Sequence, residues 1–82
     1  MTTTDPASAA RTLDTLGKKC PVPVIELAKT MPRVDVGDTL VVLSDDPGAK
    51  VDIPVWCRMK KHELVGADED AGVFSFVVRR RH

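Results

Sequence analysis

Gly17-Lys18-Lys19-Cys20-Pro21-Val22-Pro23 is the stretch on which the reading of this chain turns. Upstream of it, Arg11 to Leu16 has the character of a short strand, and Gly17 signals a turn. Downstream, Pro21 to Thr30 has the pattern of a helix. Val24, Leu27, Ala28 and Met31 recur at spacings of three and four and predict one buried stripe, with Glu26 and Lys29 toward solvent. Pro32 ends the helix. A thiol therefore stands where a strand hands over to a helix.

That position has chemical consequences. The first N–H groups of a helix lack internal partners, and its aligned peptide dipoles favour an anion there. Pro21 at the first helical position loses no bond, and Pro23 still falls within the first turn. Between them the Val22 N–H is left as a donor that could face the sulfur. Lys18 and Lys19 add positive charge. This arrangement predicts a Cys20 thiol more acidic than usual, with much of it ionised at neutral pH. The opposing reading is that Cys20 is a small buried apolar residue, the ordinary fate of a free cysteine. Gly17, the lysines and the two prolines argue for exposure instead.

Further along, Val36-Gly37-Asp38 reads as a turn and Leu40-Val41-Val42-Leu43 as a central strand. Ser44-Asp45-Asp46-Pro47-Gly48 reads as a short acidic loop. It is either a plain turn with a capping Asp or a lip beside the Cys20 loop. A second helix is expected to start near Asp52 as N-cap, or one turn earlier from Ala49, and to run to Lys61 with Pro54 in its first turn. Ile53, Trp56, Cys57 and Lys60 share one side of it. Trp56 is the only tryptophan and is assigned to the core. Glu63 to Asp68 is the third strand, Asp68 to Gly72 a hairpin turn, and Val73 to Arg79 the fourth strand. In that last strand Phe74, Phe76 and Val78 point one way. The order β-α-β-α-β-β predicts an α+β two-layer sandwich, with a four-stranded mixed sheet and both helices on one face.

The chain has 82 residues, enough for one small domain with a thin core. Its expected organisation is a disordered tail over 1–10, one domain over 11–79 and a basic tail over 80–82. Formal net charge is zero, from twelve basic and twelve acidic residues, so composition gives no sign of a general nucleic-acid-binding surface. Met1 to Ala10 lack the apolar run of a secretory leader. Two cysteines make no disulfide framework, and with two scattered histidines they lack the spacing of a metal site. The expected setting is the reducing cytoplasm, with no membrane span and no metal.

Leu13-Asp14-Thr15-Leu16-Gly17-Lys18-Lys19-Cys20-Pro21-Val22-Pro23 resembles the signature of the TusA/SirA-type sulfur carriers. The likeness continues in Gly37-Asp38-Thr39-Leu40, Asp45-Asp46-Pro47, Asp52-Ile53-Pro54, Cys57 and His62-Glu63-Leu64. Cys-Pro-x-Pro alone is a weak signal, but joined to the others at these distances it is a strong one. The resemblance implies the sheet order 1-2-4-3 and a small sulfurtransferase that holds sulfane sulfur as a persulfide on Cys20, with no cofactor beyond that transient group. Gly17, Lys18, Lys19, Pro21, Val22 and Pro23 would shape the site. Lys18, Lys19, Arg58, Asp45 and Asp46 would meet protein partners. Those partners would be a cysteine desulfurase or other persulfide donor, and a downstream acceptor serving tRNA thiolation, molybdenum-cofactor work or sulfur oxidation. Nucleic acid would be involved only indirectly, and the carrier is expected to be a monomer. Cys57 is assigned to the core, and neither His62 nor His82 lies near Cys20 in sequence to serve it as a base. Two other classes remain open: an RNA- or protein-binding module using the arginine tail, and a thiol redox sensor.

Overall fold

The computed structural model describes residues 10–82. Its elements are β1 (Ala10–Asp14), α1 (Val22–Thr30) followed by a single 3-10 turn (Met31–Arg33), β2 (Thr39–Ser44), α2 (Ala49–Lys60), β3 (Glu63–Asp70) and β4 (Val73–Arg79). The strands form one four-stranded sheet in the order β1-β2-β4-β3, as expected. β1 and β2 are parallel, with Leu13 opposite Val42; the other pairings are antiparallel. The tail expected over 1–10 lies outside the described residues except for Ala10, which opens β1.

Period-two alternation explains the sheet's inner face. In β2, Leu40 and Val42 are fully buried, and across from them Val78 and Phe76 of β4 are too or nearly so. Both helices cover this face. α1 contributes Pro23 and Leu27, and Met31 follows on the same side, so the stripe runs at a spacing of four. Ala28, expected in that stripe, is exposed. α2 contributes Ala49, Ile53, Trp56 and Cys57, which places Trp56 and Cys57 in the core as assigned.

α2 starts at Ala49, the earlier of the two expected positions. The turn before it sets this start. The N–H groups of Ala49, Lys50 and Val51 donate to the carbonyls of Asp46, Pro47 and Gly48, so the helix is already wound when it reaches Asp52. Asp52 is therefore in the first turn rather than at the cap, and Pro54 lies inside the helix, where its missing N–H removes one internal bond. The β3–β4 hairpin is also tighter than expected. Ala71 and Gly72 both take positive φ, 51° and 81°, and this two-residue turn lets β3 run on to Asp70.

The last residues fold back onto the domain. The Arg80 N–H donates to the Asp38 carbonyl, and the Arg80 carbonyl accepts from the Gly37 N–H. The Arg80 Nη1 donates to the carbonyls of Val34 (2.6 Å) and Pro32 (3.2 Å). The imidazole of His82 stacks on that of His62 at 4.7 Å, and His62 on the Trp56 indole at 5.5 Å. Within the expected basic tail, Arg80 is half-buried while Arg81 and His82 stay exposed. The reason is the row of carbonyls after α1, which the Arg80 guanidinium satisfies.

Candidate functional site

Parallel pairing of β1 and β2 puts the loops that follow them at the same edge of the sheet. The first loop carries Cys20 and the second carries Asp45, Asp46 and Gly48. Thr15 begins the junction, with its N–H donating to the Leu43 carbonyl at 2.9 Å and its hydroxyl donating to the same oxygen. Both Thr15 and Ser44 are fully buried, which anchors the two loops at their roots.

The acidic loop then grips the cysteine loop. Asp45 accepts the Gly17 N–H with both carboxylate oxygens, at 3.1 and 3.0 Å, where Gly17 takes a φ of 80° that suits glycine. Asp46 accepts the Cys20 N–H through Oδ2 at 2.5 Å and the Gly48 N–H through Oδ1 at 3.4 Å. It thus joins the start of one helix to the start of the other. Of the two readings of this loop, the lip beside Cys20 is the one its contacts favour. Both aspartates hold the cysteine loop through its backbone N–H groups.

Cys20 is half-buried, packs in part against the core, and precedes Pro21 through a cis peptide bond. Its side chain lies against Gly48, where a β-carbon would stand 3.0 Å from Sγ. The thiol is not the acidic one expected. Burial, then hydrogen bonds to the carboxylates of Asp52 and Asp46, then their negative charge push it from 9.0 up to about 12. Conversely, the Cys20 N–H holds the Asp46 carboxyl below its usual range, helped by the thiol, the Gly48 N–H and the charge of Lys19. The Val22 N–H does not face the sulfur, because it donates to the Lys19 carbonyl at 2.9 Å and closes a turn. α1 itself begins only at Val22, two residues past the thiol.

The remaining expected residues divide by place. Lys18 and Lys19 are exposed, and Lys19 lines an open depression of about 400 Å³ with Gly17, Asp45, Asp46 and Pro47. Pro21 is exposed, Val22 half-buried and Pro23 buried under the loop. Arg58 is not brought to the site. It lies ten residues beyond Gly48, roughly 15 Å along the helix at ~1.5 Å per residue. Asp52 and Gly48 belong to the site but were read only as helix and turn residues. A usable signal was present, since a parallel pair always brings together the loops at its strands' C-terminal ends.

Residues 11–80 match the sulfurtransferase TusA family. The chain belongs to that family. Its role is accordingly in sulfur transfer, and the TusA match takes in every element described above apart from Ala10 at the start of β1. The fold is also similar to that of a SirA-like protein from Desulfitobacterium hafniense, with a TM-score of 0.75 at 23% identity, covering 87% of this chain and 97% of the other. At that identity the likeness speaks for the fold. Among the described residues no helix is long and apolar enough to cross a membrane.

Proposed function

We propose that this TusA-family chain accepts sulfane sulfur on Cys20 from a protein persulfide, such as that of a cysteine desulfurase, and passes it to the thiol of an acceptor protein. In the first step the Cys20 sulfur bonds to the terminal sulfur of the donor persulfide. The donor's S–S bond breaks, its cysteine leaves as a thiolate, and Cys20 becomes a persulfide. The second step repeats this with Cys20 as the leaving group.

One observation carries the reading: of the chain's two cysteines, only Cys20 reaches the surface, on a clamped loop open to a docking protein. Cys57 is 2% exposed. The rival binding-module reading gains no support, because Phe74 and Phe76 are buried and offer no stacking platform, and the Arg80 guanidinium is bonded to backbone carbonyls. The test is to incubate the chain with a desulfurase and cysteine and weigh it intact. A gain of one sulfur that reductant removes, and that Cys20→Ser abolishes, is expected. No gain on Cys20 would dismiss the proposal.

A further inference from the structure

The last turn of α2 borders an open pocket of about 260 Å³ that the sulfur chemistry does not use. Met31 and Pro32, from the turn after α1, give it an apolar wall, and Trp56 backs it. Its polar lining is Lys60, His62, Arg80 and His82, with no carboxylate among them. Glu63, the acid that follows His62, is turned instead to Arg81 at 3.1 Å and Arg79 at 3.8 Å.

Cations beside the carboxyl end of a helix often do no more than offset its carbonyls, and part of this set does that. Arg80 donates through Nη1 and Nε to three carbonyls, and the His82 Nε2 meets the Lys60 carbonyl at 2.8 Å. Lys60 and His62 are different. The His62 Nδ1 accepts the Arg81 N–H at 3.2 Å, so the neutral ring carries its proton on Nε2. Among the described residues nothing accepts from that Nε2–H or from the Lys60 ammonium. Burial first, then the charges of His82 and Arg80, hold the His62 imidazole below its usual range, and the last two are the effect of unbalanced positive charge. An apolar wall beside two uncommitted donors suits a ligand with one apolar and one anionic part.

We propose that this pocket binds a small organic anion, with its charged head on Lys60 and His62 and its apolar body against Met31, Pro32 and Trp56. A bare inorganic anion would leave the apolar wall uncovered, and a neutral ligand would leave the ammonium without a counter-charge. The site is separate from Cys20 and does not depend on the carrier reading.

Three probes divide the ligand into its parts: benzenesulfonate, neutral benzenesulfonamide and inorganic sulfate. Each is titrated into the full chain and read by the emission of Trp56, the only tryptophan, and by amide chemical shifts. Benzenesulfonate should saturate with a Kd of about 1 mM or below, as befits a ligand of its size. The sulfonamide, without the charge, and sulfate, without the ring, should each bind about tenfold more weakly. The shifted amides should centre on Met31, Trp56 and His62. Lys60→Gln should weaken benzenesulfonate about tenfold, and so should His62→Phe, which keeps a ring in the stack but loses the N–H. Lys60 is exposed, so its variant covers the case where His62→Phe does not fold. A bound anion favours the imidazolium, so the pH midpoint of Trp56 emission should rise by about one unit under saturating benzenesulfonate. That shift distinguishes contact with His62 from mere filling of a crevice. Sulfonamide or sulfate binding as tightly as benzenesulfonate, undiminished binding in Lys60→Gln, an unmoved midpoint, or no saturation would overturn the site.

Discussion

Gly48 is pressed against Cys20: a β-carbon at Gly48 would lie 3.0 Å from Sγ, 3.3 Å from the Cys20 Cβ and 3.3 Å from Asp46 Oδ2. Its φ of −61° is open to any residue, so the constraint is space and not backbone conformation. Gly48→Ala should push the thiol outward, away from Asp46 and into water. Alkylation of Cys20 by iodoacetamide at pH 8 should quicken severalfold, and stability should fall by about 1 kcal/mol. An unchanged alkylation rate would show that the contact does not restrain the thiol.

The acidity of Cys20 sets a pH profile. With its pKa near 12, the alkylation rate should climb about tenfold per pH unit between pH 6 and 9 without levelling off. A plateau near neutrality would contradict the structure. Stability follows the same groups. Cys20 and Cys57 are raised from 9.0 to about 12 and about 11, the latter by burial, so the folded chain holds these protons longer than the unfolded one. Their contribution is whole below pH 9 and is lost as pH rises through the folded values. Urea midpoints should fall above pH 9, and less steeply in Cys20→Ser.

Arg80 supports the fold and stands apart from the chemistry. Its guanidinium satisfies the carbonyls of Pro32 and Val34 and, through Nε, that of His82 at 2.9 Å. Arg80→Ala should cost about 1–3 kcal/mol in urea denaturation, since it takes this donor from the partly buried Val34 carbonyl. Sulfur uptake by Cys20 should be unaffected at temperatures where the variant is folded.

Trp56 reports on the opposite end of the helices from Cys20. Its indole stacks on His62, whose imidazole is held below its usual acidity range by burial and by the charges of His82 and Arg80. A protonated imidazole quenches a neighbouring indole. Trp56 emission should therefore drop as pH falls through a midpoint under 6.5, and His62→Gln should remove the step. Because the folded pKa is the lower one, His62 adds stability that is present above pH 6.5 and is lost as pH falls through the folded value. A midpoint at or above 6.5 would count against the stack.

Much of this fold could be read from local pattern. The alternation Phe74, Phe76, Val78 gave β4 its limits, and the apolar run Leu40 to Leu43 gave the body of β2. Local pattern failed where distant residues decide the outcome. The Val22 N–H looked free because its partner, the Lys19 carbonyl, depends on how the loop turns. Cys20 looked acidic because helix position was weighed without Asp46 and Asp52, which arrive from 26 and 32 residues away. Arg80 read only as part of a basic tail because the carbonyls it meets lie beyond the end of another element.

The distance along the chain between the cysteine loop and its clamp has a further consequence. Gly17 meets Asp45 across 28 residues, and Cys20 meets Asp46 across 26, so nothing restrains the thiol until β2 has been made and paired with β1. Folding therefore makes this sulfur quieter. A chain still emerging from synthesis, or one loosened by heat, carries a cysteine of ordinary acidity and is easier prey for oxidants and electrophiles than the finished protein.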